Sequence, residues 1–153
     1  MKTGWKLNSV TGAGALMVKR TYLDSGVLLA ACKGTDKLSL QAMRVLDEPE
    51  REFLLSDAVW LEVMPKAIYE RQRKEAAFYE AVFAAAEKLP WDLTTLDHAA
   101  DLAQRYGMAA MDAIHVAHAL DARADELLTA EKPGKPMFRA QGVAVRSIWE
   151  EMT

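Results

Sequence analysis

The sequence predicts an α/β fold in which helices cover both faces of a mostly parallel central sheet. Short apolar runs of strand length alternate with longer stretches whose apolar residues recur at helical spacing. Alanine, leucine and methionine are plentiful, which favours helix. Apolar residues make up 51% of the 153 residues, so a single domain with a buried core is expected. Helices between short strands supply the crossover connections that parallel pairing requires.

In the first half of the chain, apolar runs and capping residues predict two strands and three helices. The predicted elements are a strand over residues 18–24, a helix over 25–33, a helix from Thr35 or Asp36 to about Asp47, a strand over 51–56 and a helix over 57–64. Pro65 is expected to end the last of these, because proline lacks an amide hydrogen and clashes with the preceding turn.

The second half begins with the longest helical stretch, over residues 66–88. It is followed by a strand or extended link over 89–93, a helix from Thr94 to Gly107, a helix over 110–122, a strand over 125–129, a loop over 131–140 and a strand over 142–148. Asp97 follows Thr94 by three residues, as in a weaker form of the capping box, so Thr94 is expected to begin its helix.

Charge and cysteine content exclude several classes of protein. The formal net charge is −3, so any binding to nucleic acid must rely on local basic patches rather than on overall attraction. Cys32 is the only cysteine and cannot form an internal disulfide, which favours a reducing, cytoplasmic compartment. No apolar run reaches the roughly 20 residues that span a membrane.

Residues 1–16 differ from the rest of the chain. They are small, polar and glycine-rich, and they contain no continuous apolar core of the kind that a secretory signal needs. We interpret them as a tail that is disordered or left from expression. Met17 directly precedes the first predicted strand and is a candidate native start, so residues 17–153 are expected to form the single domain.

Four carboxylates stand where the predicted fold gathers functional groups. Sites in parallel sheets form beyond the carboxyl ends of strands. Asp24 ends the first strand, and Glu131 lies just beyond the strand over residues 125–129. Glu62 and Asp112 each lie in an otherwise apolar helix, where a lone carboxylate is costly unless it is paired or bound to a metal. All four are therefore candidate metal ligands.

Short motifs around these carboxylates resemble those of a known family. The motifs are Thr21-Tyr22-Leu23-Asp24-Ser25, Ser56 with Val59-Trp60-Leu61-Glu62-Val63, Met111-Asp112-Ala113-Ile114-His115-Val116-Ala117, and Ala124-Asp125-Glu126-Leu127-Leu128-Thr129. Their order, spacing and placement are similar to those of the PIN-domain family, in particular its VapC-like bacterial ribonucleases. The likeness spans about residues 18–148.

The resemblance implies a three-layer PIN fold and metal-dependent cleavage of single-stranded RNA. Asp24, Glu62 and Asp112 match the family's three best-known acidic positions. The fourth position is usually Asp, two residues after the Thr that ends a strand, and this chain has Glu131 there. The longer side chain is expected to act through water or to weaken the site. The resemblance also implies a small antitoxin protein as a partner, and a homodimer.

Carboxylate oxygens are the ligands that Mg²⁺ and Mn²⁺ prefer, so one of these ions is the expected cofactor. Asp24 and Asp112 are assigned to the main ion. Glu62 is expected to complete its shell or to position water, and Glu131 to assist. The number of ions, one or two, stays open.

Each carboxylate also has a purely structural interpretation. Asp24 can cap the helix that follows it, and Asp112 can complement the dipole at the start of its helix. Glu62 can belong to a buried ion pair, and Glu131 can be an ordinary surface residue. Considered jointly and with the family resemblance, the four positions favour the metal site.

Polar and basic residues beside the carboxylates are candidate supports and substrate contacts. The candidates for holding water or orienting carboxylates are Ser25, Ser56 and Thr129. The candidates for contacting RNA phosphates are Lys132, Lys135 and Arg139. An ordinary solvated loop is the alternative for these basic residues.

The helix over residues 110–122 is apolar apart from four residues, Asp112, His115, His118 and Asp121. Such a helix is expected to be buried. His115 lies one turn from Asp112, which suggests a metal ligand, but packed and hydrogen-bonded histidines are the favoured interpretation.

The leading hypothesis is a metal-dependent endoribonuclease. A second hypothesis is an inactive module that kept the fold and binds RNA or protein, motivated by Glu131 at the fourth acidic position. A third is a phosphatase with Asp24 as nucleophile. That class needs a second Asp two residues on, where this chain has Gly26, so it is disfavoured.

Overall fold

The computed structural model describes residues 17–34 and 36–150. The predicted tail, residues 1–16, and the candidate cap Thr35 lie outside the described residues. Asp36 caps the helix that follows it, since its Oδ1 accepts the backbone N–H of Ser39 at 3.0 Å. No helix within the described ranges is both long enough and apolar enough to cross a membrane.

Helices and strands alternate as the sequence predicts. The strands are β1 (Lys19–Leu23), β2 (Arg51–Ser56), β3 (Glu87–Leu89), β4 (Glu126–Thr129) and β5 (Ala144–Ser147). The helices are α1 (Ser25–Lys33), α2 (Lys37–Asp47), α3 (Asp57–Tyr69), α4 (Arg73–Ala85), α5 (Leu93–Tyr106) and α6 (Ala110–Asp121), with a 3-10 helix over Pro136–Arg139. Within the described residues the strands form one parallel sheet in the order β3-β2-β1-β4-β5, which confirms the predicted class.

β1 lies at the centre of the sheet and is covered on both faces. It pairs with β2 on one side and with β4 on the other. Thr21, Tyr22 and Leu23 are successive residues with no exposed surface, although successive side chains of a strand point to opposite faces. Helices therefore cover both faces of the sheet, giving three layers, α/β/α.

α3 continues through Pro65, so the prediction that it ends there is wrong. Proline has no N–H to donate to the carbonyl of Leu61, one turn earlier. Leu61 is 56% exposed, so water reaches this turn and can hydrogen-bond to its backbone. Val63 and Ala67, before and after the proline, are both buried, and their packing keeps the helix continuous.

The single helix predicted over residues 66–88 is also wrong. The structure divides this stretch among α3, α4 and the short strand β3, which pairs with β2. Between the helices, Arg71 has φ 56°, a left-handed conformation that stops an α-helix. The sequence gives no sign of this break, because residues 70–72 contain neither glycine nor proline.

α5 begins at Leu93, and Asp92 rather than Thr94 is its cap. Oδ1 of Asp92 accepts the backbone N–H of Thr94 at 2.7 Å, so the predicted start at Thr94 is wrong by one residue. The predicted end is confirmed. Gly107 follows the helix with φ 71°, a conformation that glycine adopts without strain.

A buried ionic cluster joins the three central strands. Glu126 of β4 is 2% exposed and accepts hydrogen bonds from Nε of Arg51 in β2 at 2.9 Å and from Oγ1 of Thr21 in β1 at 2.7 Å. Arg51 also pairs with Glu48. Because Arg51 and Glu126 each begin a strand, the cluster lies towards the amino ends, away from the carboxyl ends that face the candidate site.

Candidate active site

The carboxyl ends of β1 and β4 open onto a cavity of about 300 Å³. All four carboxylates predicted from the sequence line it, although they come from distant segments. Asp24 follows β1 directly, Glu131 lies just beyond β4, and Glu62 and Asp112 project from α3 and α6. The remaining lining residues are Ser25, Gly26, Leu29, Met111, His115, Thr129 and Ala130.

Asp24 is held by both the sheet and the helix that follows it. Its backbone N–H donates to the carbonyl of Leu128 at 3.2 Å, which extends the pairing of β1 with β4. Its Oδ1 accepts the backbone N–H of Gly26 at 3.1 Å, so Asp24 caps α1 while lining the cavity. The hydroxyl of Thr129 also hydrogen-bonds to its carboxylate. The capping interpretation is therefore correct and compatible with a role in the site.

Gly26 allows α1 to lie tightly against the end of β4. A Cβ atom at this position would lie 3.2 Å from Cβ of Ala130 and 3.4 Å from Oδ1 of Asp24. Any side chain there would push the first turn of the helix away from the strand.

Burial and neighbouring charges make Asp24 difficult to ionise. Its side chain is almost fully buried, and burial is the main reason that its pKa rises to about 6. The imidazole of His115 and the hydroxyl of Thr129 oppose this rise, whereas Asp112 and Glu131 add to it by repulsion. Close to neutral pH, the site therefore carries a carboxylate whose negative charge is poorly compensated.

Glu62 is oriented by His115. Nε2 of His115 lies 2.7 Å from Oε1 of Glu62, and Ser25 adds a hydrogen bond to the same carboxyl. Partial burial alone would raise the pKa of Glu62, but the bond and charge of His115, with the help of Ser25, lower it. Glu62 is therefore ionised at neutral pH and faces the cavity.

Asp112 lies in the first turn of α6, where the helix dipole favours a negative charge. Burial nevertheless raises its pKa, and repulsion from Glu131 and Glu62 adds to the rise, while Lys135 and His115 oppose it. Asp112 thus resembles Asp24 in being a carboxylate that lacks a sufficient counter-charge.

Glu131 is the most exposed of the four carboxylates, but its backbone is fixed. Its N–H donates to Oγ1 of Thr129 at 3.1 Å, and its carbonyl accepts the hydroxyl of Ser147 at 2.5 Å. The side chain forms an ion pair with Lys135, whose Nζ lies 3.0 Å from Oε1. This pairing, together with the charges of Asp112 and Asp24, raises the pKa of Lys135. The ammonium of Lys135 therefore lies beside the acidic cavity and interacts with three of its four carboxylates.

The donor set fits a hard divalent cation. All of its charged donors are carboxylates, and a cation would relieve the burial and repulsion that raise the pKa of Asp24 and Asp112. As the side chains stand, no three His, Cys, Asp or Glu in the described part of the chain are grouped closely enough to hold an ion. Binding would have to draw side chains inward, and Glu131 is exposed enough to turn.

The predicted supports and phosphate contacts are placed differently. Ser25 and Thr129 line the cavity, but Ser56 is buried beneath it and caps α3 through a 3.3 Å bond from the N–H of Val59. Lys135 faces the carboxylates, and Nζ of Lys132 lies 5.0 Å from the ring centre of Trp149. Arg139 is not brought to the cavity, because its guanidinium donates to the carbonyl of Tyr106.

Sequence analysis missed the residues that support the cavity wall from behind. Tyr22 hydrogen-bonds to His115, and Nε1 of Trp149 donates to the carbonyl of Ala130 at 2.7 Å. The packed, hydrogen-bonded environment predicted for His115 is confirmed. His118 is buried as predicted, and its Nε2 has no hydrogen-bond partner within the described residues.

A family model for the PIN domain matches residues 21–132, which make up most of the chain and include all four carboxylates. The chain belongs to the PIN-domain family. This confirms the resemblance inferred from the four motifs and the PIN-like α/β/α architecture. No curated protein sequence matches this PIN-domain protein significantly.

The same PIN fold occurs in solved structures from several bacteria. A chain of VapBC2 from Rickettsia felis, bound to a promoter DNA fragment, superposes with a TM-score of 0.63 at 12% identity, covering 84% of this chain and 98% of that one. A chain of DNA-bound VapBC from Salmonella typhimurium superposes with a TM-score of 0.63 at 16% identity, covering 86% of this chain and 99% of that one. A chain of FitAcB from Neisseria gonorrhoeae superposes with a TM-score of 0.63 at 17% identity, covering 84% of this chain and 98% of that one. At these identities the likeness is one of fold, and it agrees with a VapC-like PIN domain.

Proposed function

We propose that this PIN-domain protein is an endoribonuclease that uses Mg²⁺ or Mn²⁺ to hydrolyse RNA phosphodiester bonds. The observation that carries the proposal is the meeting of four carboxylates, from four separate segments, in one cavity. Two of them, Asp24 and Asp112, have raised pKa values and lack a sufficient counter-charge. Such a site favours a divalent cation over an empty state.

Asp24 and Asp112 would hold the main ion, Glu62 would complete its shell or orient water, and Glu131 would assist. A bound ion of this kind lowers the pKa of a coordinated water and stabilises negative charge on the phosphate. The protein's own residues fix the geometry. Asp24 is locked at the junction of β1 and α1, and His115 keeps Glu62 turned towards the cavity.

Lys135 is the residue proposed to contact the RNA phosphate. It now pairs with Glu131, in a loop at the edge of the cavity. When a cation takes over the charge of Glu131, the ammonium becomes available to the anionic substrate. Lys132 is a weaker candidate because it lies over Trp149, and Arg139 is engaged by the end of α5.

Substitutions that keep shape and remove charge test the proposal. Asp24→Asn and Asp112→Asn should each lower the cleavage rate of a defined single-stranded RNA by more than about 100-fold, since each removes a direct metal ligand. Asp36→Asn is the matched control, because Asp36 is also a helix-capping aspartate but lies outside the cavity. The measurement is cleavage in Mn²⁺, with circular dichroism to verify folding.

The proposal is wrong if either cavity variant cuts RNA at the rate of Asp36→Asn, or if wild-type cleavage persists in a chelator. A specific observation also favours a second candidate, an inactive module that binds RNA or protein. Glu131 stands where aspartate is usual, and its side chain is already paired with Lys135. Titration calorimetry with Mn²⁺ separates the two, because the inactive module would bind no metal at the cavity.

We also propose that the protein acts in the cytoplasm as the toxin of a toxin–antitoxin pair, binds a small antitoxin protein and forms a homodimer. The solved complexes with the same fold support this. The protein also offers large exposed apolar side chains to partners: Leu40, Trp60, Leu61, Ile68, Tyr69, Trp91 and Leu93. Light scattering of the purified chain tests the dimer, and a short reading frame beside this one, whose co-expression relieves any growth arrest that the protein causes, would identify the antitoxin.

A further inference from the structure

The core beneath the cavity contains a hydrogen-bonded chain of side chains that ends on Glu62. Oγ of Ser56 lies 2.7 Å from the hydroxyl of Tyr22, and that hydroxyl lies 2.7 Å from Nδ1 of His115. Nε2 of His115 lies 2.7 Å from Oε1 of Glu62. The chain therefore links β2, β1, α6 and α3 by three short bonds.

From this chain we infer that Tyr22 and His115 are positioning residues, which hold the Glu62 carboxylate in the orientation that the metal requires. The inference rests on the proposed function and deepens it. Neither residue is assigned a contact with the metal or the substrate. Tyr22 is fully buried behind the cavity, and its action on the site passes through His115.

At the cavity end of this hydrogen-bonded chain, only one assignment of donor and acceptor is possible for the bond between His115 and Glu62. A carboxylate only accepts hydrogen bonds, so Nε2 of His115 donates to Glu62. Nδ1 is then left to the Tyr22 hydroxyl, which can either donate or accept. Both ring nitrogens are thus engaged, and the imidazole cannot turn without breaking the buried bond to Tyr22 and the part-buried bond to Glu62.

The inner end of the chain is equally fixed. Ser56 is 1% exposed and accepts the N–H of Val59, so its remaining bond goes to Tyr22. Ser56 also caps α3, which is the helix that carries Glu62. Ser56, at one end of the hydrogen-bonded chain, thus sets where α3 begins. His115, near the other end, sets the direction of the Glu62 side chain further along the same helix.

Burial argues that this chain has a purpose beyond packing. Tyr22, Ser56 and His115 bring polar atoms into a core that could be filled by apolar side chains, which carry no unpaired donors or acceptors. The chain leaves the core at a single point, the half-buried Glu62 in the cavity wall. The arrangement is that of outer partners that orient a metal-binding side chain.

Tyr22→Phe tests the inference, because it removes one hydroxyl and keeps the buried ring. The matched control is Tyr79→Phe. Tyr79 is also fully buried, and its hydroxyl donates to Glu75 at 2.6 Å, away from the cavity. Mn²⁺ affinity is measured by titration calorimetry, and RNA cleavage is measured as a function of Mn²⁺ concentration, with wild type, both variants and thermal unfolding in parallel.

Tyr22→Phe should weaken Mn²⁺ binding by about 10-fold or more, as loss of an outer partner does, and should regain most of its cleavage rate at saturating Mn²⁺. Tyr79→Phe should match wild type in both measurements. His115→Ala should weaken binding further, and His115→Gln should restore part of it, because the glutamine amide can donate to Glu62 from nearly the same position as Nε2.

The outcomes separate this inference from the proposed function. Wild type that neither binds Mn²⁺ nor cuts RNA overturns the proposed function, and the positioning role with it. Wild type that does both, with Tyr22→Phe indistinguishable from Tyr79→Phe in Mn²⁺ affinity, overturns the positioning role alone. The positioning role is also contradicted if His115→Gln binds Mn²⁺ no more tightly than His115→Ala does.

Discussion

Asp24 combines two roles that its sequence context presents as alternatives. It caps α1 with one carboxylate oxygen and faces the cavity with the same buried group. Capping alone is available to serine or asparagine without a buried charge. The presence of an ionisable group at this position, with a pKa raised to about 6, therefore has a stability penalty that only a function explains.

That penalty predicts how stability depends on pH in metal-free protein. The folded pKa of about 6 exceeds the ordinary aspartate pKa of 3.8, so between these values the folded state binds more protons than the unfolded state. The contribution of Asp24 to wild-type stability should therefore fall as pH rises from 4 through 6. Asp24→Asn removes the charge and keeps the cap, so it should be more stable than wild type at pH 7, by on the order of 2 kcal/mol.

Urea unfolding in a chelator, at pH values from 4 to 7, measures this difference. The gain of Asp24→Asn should shrink as pH falls from 7 towards 4, because Asp24 of the folded wild type becomes protonated below its pKa of about 6 and no longer buries a charge. A gain that is the same at every pH, or a loss at neutral pH, contradicts the assigned burial of charge. Asp36→Asn serves as the control, since that cap is exposed.

At the scale of helices and strands, sequence patterns located the elements but not all of their boundaries. Apolar periodicity and capping residues were sufficient where the signal is local, as at Asp36 and Gly107. They failed at Pro65, where tertiary packing keeps α3 continuous, and at Arg71, where no local residue marks the turn. At Arg71 the turn is closed by local backbone bonds, among them the N–H of Gln72 to the carbonyl of Ala67 at 2.9 Å, which the residue types do not predict.

The buried cluster of Glu126, Arg51 and Thr21 should be important for the pairing of β1, β2 and β4. Glu126→Ala removes the more deeply buried of the two carboxylates that pair with Arg51, which should destabilise the protein by up to roughly 3–5 kcal/mol. The control is Glu87→Ala, which removes an ion pair with Arg20 of which both members are partly exposed, and should cost less than about 1 kcal/mol.

Chemical unfolding of the two variants at neutral pH makes this comparison. Similar losses in both would show that the buried cluster is no more important than a surface pair. The cluster was not predicted, because Glu126 begins a strand and stands in sequence as an ordinary polar boundary residue.

At the scale of the whole molecule, the four sequence motifs located the carboxylates that line the cavity but not the side chains that support them. Asp24 and Glu131 were expected to meet because each follows the carboxyl end of a predicted strand, and the pairing of β1 with β4 brings those ends together. The hydrogen bonds that link Ser56 to Glu62 through Tyr22 and His115 were not predicted, because they depend on how closely α6 packs against β1. Arg139 was assigned to the site by its proximity in sequence, and a short 3-10 helix directs it to Tyr106 instead.

A cation shared by these distant segments should stabilise the entire fold. Under the proposed function, Mn²⁺ at about 100 times its dissociation constant adds roughly 2.7 kcal/mol, because it binds only the folded state. The melting temperature should rise by about 5–11 °C in wild type and by much less in the Asp24→Asn, Asp112→Asn double variant. Differential scanning fluorimetry with and without Mn²⁺ measures both, and equal shifts in the two proteins contradict a metal site at the cavity.

The central place of β1 has a consequence for synthesis on the ribosome. One neighbour of this strand is β4, and the contact from Thr21 to Glu126 joins residues 105 positions apart. Such distant pairing is slow to form and is unavailable while the later part of the chain is still being translated. An unfinished polypeptide thus lacks two of the four acidic groups, those on α6 and beyond β4. Under the proposed function, the chain would therefore gain its nuclease activity only after almost all of it has emerged.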